Sequence, residues 1–226
     1  MDINNKVFEQ LNAIITDSKK EMFQRIAANR TNYLTVALEN IQKDHNASAV
    51  IRTCDCLGIQ NIHLIEKNEV YGIQREIARG AASWVNFTSH SDGNSPSITA
   101  IDKLKKEGYQ IVATSPHAEH TLDTVPIDNP IALFFGTERD GISKQVIENA
   151  DHLVKIPMYG FTESFNVSVS VAIVLNQLRN RLDATSIDWK LNELEQIKLK
   201  IDWCTKVINE GVKVEKEIRR RIIEKE

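Results

Sequence analysis

The ten-residue stretch DHNASAVIRT (44–53) places one arginine inside an otherwise apolar helical segment. Asn46 has the residue type and position of a helix N-cap, and Arg52 follows it about one and a half turns later. A guanidinium is permanently charged and carries several hydrogen-bond donors, so it can stabilise negative charge during a reaction. The alternative is an ion pair with Asp55, three residues further along a solvent-facing side of the helix.

Three more polar segments follow predicted strands in the same way as DHNASAVIR follows YLTVALEN. They are TSPHAEH after QIVA, GTERDGIS after IALFF, and MYGFTESFN after VKIP. If the strands are parallel, their carboxyl ends meet at one edge of the sheet, where α/β proteins bind their ligands. The four segments combine small residues with hydrogen-bonding ones, and together they predict a single pocket.

Strand-like and helix-like segments alternate along most of the chain. Predicted strands lie at 33–40, 61–66, 84–90, 108–115, 131–136 and 152–158, and predicted helices at 47–57, 73–81, 98–107, 143–149 and 166–182. This order predicts an α/β fold with a mainly parallel sheet and helices on both faces. The segment NVSVSVAIV alternates like a strand at first. However, Val167, Val171 and Leu178 keep the longer period of a helix, with Asn166 as its cap.

Composition and charge bound the class of protein. The 226 residues are 42% hydrophobic with a formal net charge of −3, so an anionic partner would be bound through local patches. We expect one domain at 31–182, flanked by helical extensions at 1–30 and 183–226. No apolar run approaches the roughly 20 residues of a membrane span, and MDINNKVFEQ does not resemble a secretion signal. A soluble, cytoplasmic protein is therefore expected.

Several classes of site lack their sequence signatures. The chain has no Gly-x-x-x-x-Gly-Lys-Ser/Thr loop and no Gly-x-Gly-x-x-Gly after a strand. These absences argue against a P-loop enzyme and against a standard Rossmann dinucleotide or methyl-donor site. The six histidines do not have metal-ligand spacing, so no metal site is expected. Cys54, Cys56 and Cys204 are expected to be structural thiols.

Three ordered motifs nevertheless resemble a known family. KDHNASAVIRTCDCLG, LFFGTERDGIS and IPMYGFTESFNVSVSVAIVLNQLRNR resemble the motifs of the SpoU/TrmH family, which are S-adenosylmethionine-dependent ribose 2′-O-methyltransferases of the SPOUT class. The resemblance covers roughly residues 30–182. It implies an α/β domain whose C-terminal part forms a deep trefoil knot, with the methyl-donor pocket in the knot. It also implies a homodimer with the knot helices at the interface and parts of both subunits at each active site.

The resemblance assigns catalytic roles to five residues. Arg52 matches the catalytic arginine, and we expect it to clamp a substrate phosphate and stabilise the alkoxide, because a group with a pKa of about 12.5 or more is a poor base. Asn46 is expected to cap its helix and to hold the ribose or Arg52. Glu138 would organise its loop or orient Asn46 and the guanosine, unless it is only a surface acid. Ser164 and Asn166 would line the knotted pocket.

The donor contacts in the family are largely made by the backbone at strand ends. The matching positions are Thr114, Gly136, Ile156 and Phe165. Gly136 would let the backbone approach the ligand closely. Phe165 replaces the leucine of the family pattern and is still apolar, so it could cover the adenine. The methyl group of the donor is already activated, so the resemblance implies no metal.

The flanking helices and the last motif look most like the branch of the family that methylates a D-loop guanosine of tRNA. The same chemistry on ribosomal RNA or at another tRNA position is a close alternative, and a catalytically silent RNA-binding module is a third possibility. The segments 19–30 and 217–226 are candidates for phosphate contact, with a solvated helix face as the alternative for each.

Overall fold

The computed structural model describes residues 2–41, 44–66, 80–91, 95–137 and 139–224. Its contacts divide the chain into two compact units. One unit contains residues 31–189, and the other combines the two terminal segments, 1–30 and 190–226. The terminal segments, predicted as helical extensions at 1–30 and 183–226, thus form one unit together over 1–30 and 190–226.

The 31–189 unit is built on a seven-stranded sheet in which every described pairing is parallel. The spatial order is β3-β2-β1-β6-β4-β7-β5. The strands are Leu34–Glu39 (β1), Asn61–Ile65 (β2), Asn86–His90 (β3), Gln110–Thr114 (β4), His120–Thr121 (β5), Ile131–Phe135 (β6) and His152–Lys155 (β7). The predicted α/β fold with a mainly parallel sheet is confirmed, and the two-residue strand β5 was not predicted.

Helices cover both faces of this sheet. They are Asp44–Cys56 (α3), Pro96–Lys106 (α4), Lys144–Asn149 (α5) and Val167–Asp183 (α6). Short 3₁₀ turns at Ala81–Ser83 and Leu122–Thr124 precede β3 and β6. Alternate strand residues point to opposite faces. In β6, Leu133 and Phe135 therefore pack in the core under α3 and α6, whereas Phe134 packs in the core under α4 and α5.

The terminal unit is helical. Its helices are Ile3–Ile14 (α1), Asp17–Ala27 (α2), Glu193–Val207 (α7) and Gly211–Ile223 (α8). Both C-terminal helices pack on α1. A capping box of Asn192 and Glu195 begins α7. Gly211 separates α7 from α8, and a Cβ there would lie 2.2 Å from the carbonyl oxygen of Thr205.

Two predictions about helices were not confirmed: the N-cap of α3 and the helix at 73–81. Helix α3 begins at Asp44, so Asn46 lies inside its first turn, and the prediction that Asn46 is the N-cap was wrong. The helix predicted at 73–81 lies almost entirely outside the described residues. No helix in the described ranges is long and apolar enough to cross a membrane.

A buried pair of histidines joins β2 to β3 at the edge of the sheet. Nδ1 of His63 lies 3.0 Å from Nε2 of His90, and the two rings are stacked. Burial, with smaller contributions from the nearby His90 and Lys103, lowers the pKa of His63 to about 4. The pKa of His90 is also lowered, by burial and by Lys103. Both rings are therefore neutral in the folded protein near neutral pH.

We predict that acid destabilises the 31–189 unit through this pair. Because the folded pKa of His63 lies below the unfolded value of about 6.5, protonation favours the unfolded chain. The free energy of unfolding should be fully present above about pH 6.5 and fall by up to about 3 kcal/mol as the pH drops through 4. Urea unfolding of His63→Gln should show a weaker dependence over this range. The exposed His120→Gln should keep the parental slope, and a parental slope in His63→Gln would contradict the prediction.

Candidate active site

The carboxyl ends of β4, β6 and β7 border one cavity of about 390 Å³ and a smaller one of about 70 Å³. Both cavities are lined by the residues after β4 and by the segment that leads into α6. Residues that line both are Thr114, Ser115, Pro116, Ser164, Phe165 and Ser170. The larger volume falls in the range of small-molecule sites. Three of the four polar segments predicted to share a pocket therefore meet at this edge of the sheet, whereas no residue of DHNASAVIR, which the structure describes in full, lines either cavity.

All four residues expected to contact the donor lie around these cavities. Thr114 and Phe165 line both, Gly136 lines the larger one, and Ile156 lines the smaller one. Ser164 also lines both cavities. These side chains come from three different strand ends, so the parallel sheet is what brings them together.

Gly136 has a structural reason for being glycine in addition to the predicted close approach to a ligand. A Cβ at this position would lie 2.0 Å from the carbonyl oxygen of Gly141. The two ends of this turn are joined by paired backbone hydrogen bonds of 3.0 Å between Thr137 and Gly141. Gly141 itself has a φ of +67°. The close approach is therefore between two parts of the loop after β6, and Glu138, inside that loop, lies outside the described residues.

Asn166 connects two of the polar segments. Its Oδ1 accepts from the backbone N–H of Ser168 at 2.9 Å, so it caps α6 as predicted. Its Nδ2 donates to Oδ1 of Asn46 at 3.1 Å. Asn46 is buried, with 2% of its surface exposed. Its side chain bonds to Asn166 across the packed helices α3 and α6, and this contact holds the DHNASA and ESFN segments together.

Arg52 lies on the exposed side of α3. It is not among the described residues that line either cavity. Its guanidinium makes no ion pair or hydrogen bond within the described parts of the chain, so the alternative pairing with Asp55 is not observed. The structure thus brings Asn46 and Asn166 together but leaves Arg52 outside the cavity of its own chain.

Charged groups at the mouth of the larger cavity carry both signs. Arg139, Asp140 and Glu163 line it, and the guanidinium of Arg139 is 3.9 Å from the carboxylate of Asp140. Ser170 also lines both cavities and was not among the predicted site residues. Its spacing could have indicated this position, because Ser170 lies four residues after Asn166 in a predicted helix and therefore on nearly the same face. Within the described ranges, no three His, Cys, Asp or Glu residues cluster as a metal site.

Comparisons with known proteins agree on one family. The model of the SpoU rRNA methylase family matches residues 33–176. The tRNA (guanosine(18)-2′-O)-methyltransferase of Borreliella burgdorferi is 43% identical over 199 residues, which cover 88% of this chain and 89% of that protein. Because the 31–189 unit has only 159 residues, this alignment must also include part of the terminal helices.

Solved structures show the same fold. The Aquifex aeolicus TrmH/SpoU tRNA modifying enzyme has a TM-score of 0.74 and 28% sequence identity, covering 85% of this chain and 98% of that one. An rRNA methyltransferase from Sinorhizobium meliloti, solved with S-adenosylmethionine bound, has a TM-score of 0.59 and 23% identity, covering 70% of this chain and 59% of that one. These SpoU/TrmH neighbours imply the knotted SPOUT fold.

We predict that Asn166 contributes to stability in two separable ways. Asn166→Ala removes both the cap and the bond to Asn46, and should lower the free energy of unfolding by about 1–2 kcal/mol. Asn166→Ser keeps a capping oxygen but loses the bond to Asn46, and should recover about half of that loss. Denaturant unfolding measures both, with the exposed Asn180→Ala on the same helix as control. Equal stability of Asn166→Ala and Asn180→Ala would contradict the prediction.

Proposed function

The chain belongs to the SpoU rRNA methylase family, and we propose that it methylates the ribose 2′-hydroxyl of guanosine 18 in the D-loop of tRNA, with S-adenosylmethionine as donor. The observation that carries this proposal is the 43% identity to a tRNA guanosine-18 enzyme over 88% of the chain. A tRNA substrate also implies a protein of the cytoplasm.

The terminal helices favour a tRNA target over ribosomal RNA. The family model ends at residue 176 and describes only the catalytic part, which rRNA and tRNA enzymes share. The similarity to the Borreliella enzyme continues beyond this part and includes terminal residues. A similarity that extends over the whole architecture supports the same substrate class more strongly than a shared catalytic unit does.

The residues around the two cavities fit the proposed donor. Apolar groups of Phe165, Ile142 and Ile156 can cover an adenine ring, and the side chains of Ser164 and Thr137 offer hydrogen bonds to polar groups. S-adenosylmethionine supplies a methyl group that is already activated. The protein mainly has to align this group with the ribose hydroxyl, and alignment of this kind is worth several kcal/mol, roughly 7 or more at best.

We assign Arg52 to the RNA side of the reaction. Its exposed guanidinium is free to bind a phosphate and to stabilise the negative charge that develops on the ribose oxygen. Asn46 lies on the same helix and is held by Asn166, so it would orient the ribose or Arg52. Glu138 keeps its proposed role in organising the loop after β6. Because Arg52 does not line the cavity of its own chain, the active site would be completed by a second subunit.

A homodimer is therefore part of the proposal. Apolar side chains are exposed along the segment that leads from the cavity into α6. Tyr159 is 97% exposed, Phe161 is fully exposed, and Val169 is 43% exposed. Soluble monomers rarely expose such a run of apolar residues, and aromatic residues are enriched at protein interfaces. The buried residues of α6, such as Val171 and Leu178, belong to the core of their own chain, so the interface would use the exposed ones.

The terminal unit offers tRNA a limited set of cations. Arg220 and Arg221 both bond to Glu217, and these contacts lower the pKa of Glu217 to about 2. Arg30 is buried beside Trp203 and is a packing residue. The exposed Arg25 on α2 is better placed to reach a phosphate. We therefore favour residues 19–30 over 217–226 for phosphate contact.

We predict that the protein transfers labelled methyl from S-adenosylmethionine to an unmodified tRNA transcript. Arg52→Ala should lower this transfer by about 100-fold or more, because it removes the group that stabilises the developing charge. Donor binding, measured by calorimetry, should be retained. Cys56→Ala, an exposed change one turn further along the same helix, should keep the parental rate. A parental rate for Arg52→Ala would refute the role of the arginine.

Mass spectrometry of the product separates the candidate targets. The modified nucleotide should be guanosine 18, and a transcript with adenosine at this position should not be methylated. Methylation of ribosomal RNA in preference to tRNA would favour the alternative target. Binding of tRNA without methylation of any RNA would instead indicate a catalytically silent module.

We predict that charges in the exposed apolar segment dissociate the dimer. Phe161→Asp combined with Val169→Asp should convert a dimer to a monomer in analytical ultracentrifugation, because each buried carboxylate would lose its hydration. Ile223→Asp, at a comparably exposed apolar residue of the terminal unit, should remain dimeric. A dimer that persists in the double variant would refute this interface.

A further inference from the structure

A buried carboxylate lies at the end of the first strand of the sheet. Glu39 is the last residue of β1, in which all six residues are buried, and only 2% of its surface is exposed. A buried charge is costly unless hydrogen bonds replace its hydration. The functional roles derived above do not include Glu39, and it is not among the described residues that line either cavity.

Two serines satisfy this carboxylate. The hydroxyl of Ser97, near the N-terminus of α4, donates to Oε1 of Glu39. The hydroxyl of Ser143 donates to the same oxygen at 2.7 Å, and the backbone N–H of Ser143 donates to Oε2 at 2.8 Å. Three donors converge on a group that only accepts, which is the arrangement that an ionised carboxylate requires.

Ser143 ends the loop that follows β6. It also caps α5, because its Oγ accepts from the backbone N–H of Val146 at 3.3 Å. The loop between Gly136 and Ser143 forms one wall of the larger cavity, which Thr137, Asp140 and Ile142 line. The start of this wall is closed by the paired hydrogen bonds between Thr137 and Gly141. Its far end is held by Glu39.

Other contacts join the helices on this side of the sheet without Glu39. Ser95 Oγ donates to Oε1 of Gln145 at 2.8 Å, which connects the start of α4 to α5 at the surface. Lys105 on α4 pairs with Asp151 at 2.9 Å. These bonds serve general stability. Among the described residues, Glu39 is the one outside this loop and α5 whose side chain hydrogen-bonds to Ser143, at the end of the cavity wall.

We propose that Glu39 is a positioning residue for methyl-donor binding. Its carboxylate holds residues 139–143 in the conformation that forms one wall of the donor cavity, and it acts through Ser143 without touching the donor. This inference rests on the proposed function, because it assigns the cavity to S-adenosylmethionine.

The test compares three single variants of the full chain. Glu39→Gln keeps the shape of the side chain but removes the charge that strengthens all three bonds. Ser143→Ala removes one of those bonds together with the cap of α5. Gln145→Ala removes the bond between Ser95 and Gln145, which connects α4 to α5 without Glu39, and serves as the control. Calorimetry measures the Kd for S-adenosylmethionine, a filter assay measures the Kd for tRNA transcript, and hydrogen exchange measures protection of the amides at 137, 141 and 143.

Glu39→Gln should weaken S-adenosylmethionine binding by about tenfold or more, with a Kd for tRNA within about twofold of the parental value. The three loop amides should lose protection by a similar factor. Ser143→Ala should show the same pattern to a smaller extent, and Gln145→Ala should match the parent in all three measurements. If Glu39→Gln does not fold, the Kd for S-adenosylmethionine of Ser143→Ala tests the inference instead.

Two results would overturn the inference alone. The first is a parental Kd for S-adenosylmethionine in Glu39→Gln. The second is an equal loss of donor and tRNA binding that Gln145→Ala reproduces, since this would indicate general destabilisation. A parent protein that binds no S-adenosylmethionine would overturn the proposed function as well. A parent that binds S-adenosylmethionine but methylates no RNA would overturn the proposed reaction. The Kd values for S-adenosylmethionine in the variants would still decide the positioning role in that case.

Discussion

The parallel hydrogen-bond ladder of β1, β6 and β4 is the constraint on which the rest of the structure depends. It aligns Leu38 with Phe135, and Ala113 with Phe134, so that the strands end at the same edge of the sheet. Every residue of β6 is buried, so a one-residue shift of this register would move Leu133 and Phe135 to the core on the other face of the sheet. Because the register is fixed, Glu39, Thr114 and Gly136 leave their strands at one level, and the loops that follow form a common cavity.

Hydrogen bonds between side chains then connect segments that the ladder only brings near each other. Asn166 joins α6 to Asn46 on α3, and Glu39 joins β1 to the loop before α5. Both are buried or partly buried polar contacts, which are strong when every partner is satisfied and costly when one is missing. The loop that forms the cavity wall is therefore held to β1, and the helix that carries Arg52 is held to α6. Arg52 itself is exposed, which suits a residue that acts on RNA bound from outside.

Much of this architecture could be predicted from the sequence, and the errors have physical causes. The long helical period of Val167, Val171 and Leu178 correctly outweighed a short strand-like alternation, because their burial on one helix face needs that period. The prediction that Asn46 is an N-cap was wrong because asparagine is a common N-cap residue, whereas this helix starts at Asp44. The side chain of Asn46 bonds to Asn166 instead. The close contact of Gly136 with Gly141 was not predicted, because no local sequence pattern encodes that contact.

The sequence by itself determined the alternation of strands and helices, the polar segments after the strands and the motifs of the family. These features depend on residue type and local spacing, which the chain carries before it folds. Only the tertiary structure decided that Glu39 holds the end of the cavity wall through Ser143, that Asn46 meets Asn166, and that Arg52 stays outside the cavity of its own chain. The partners in those contacts are separated by about 100 residues or more, and their meeting depends on strand order and register, which local periodicity does not specify.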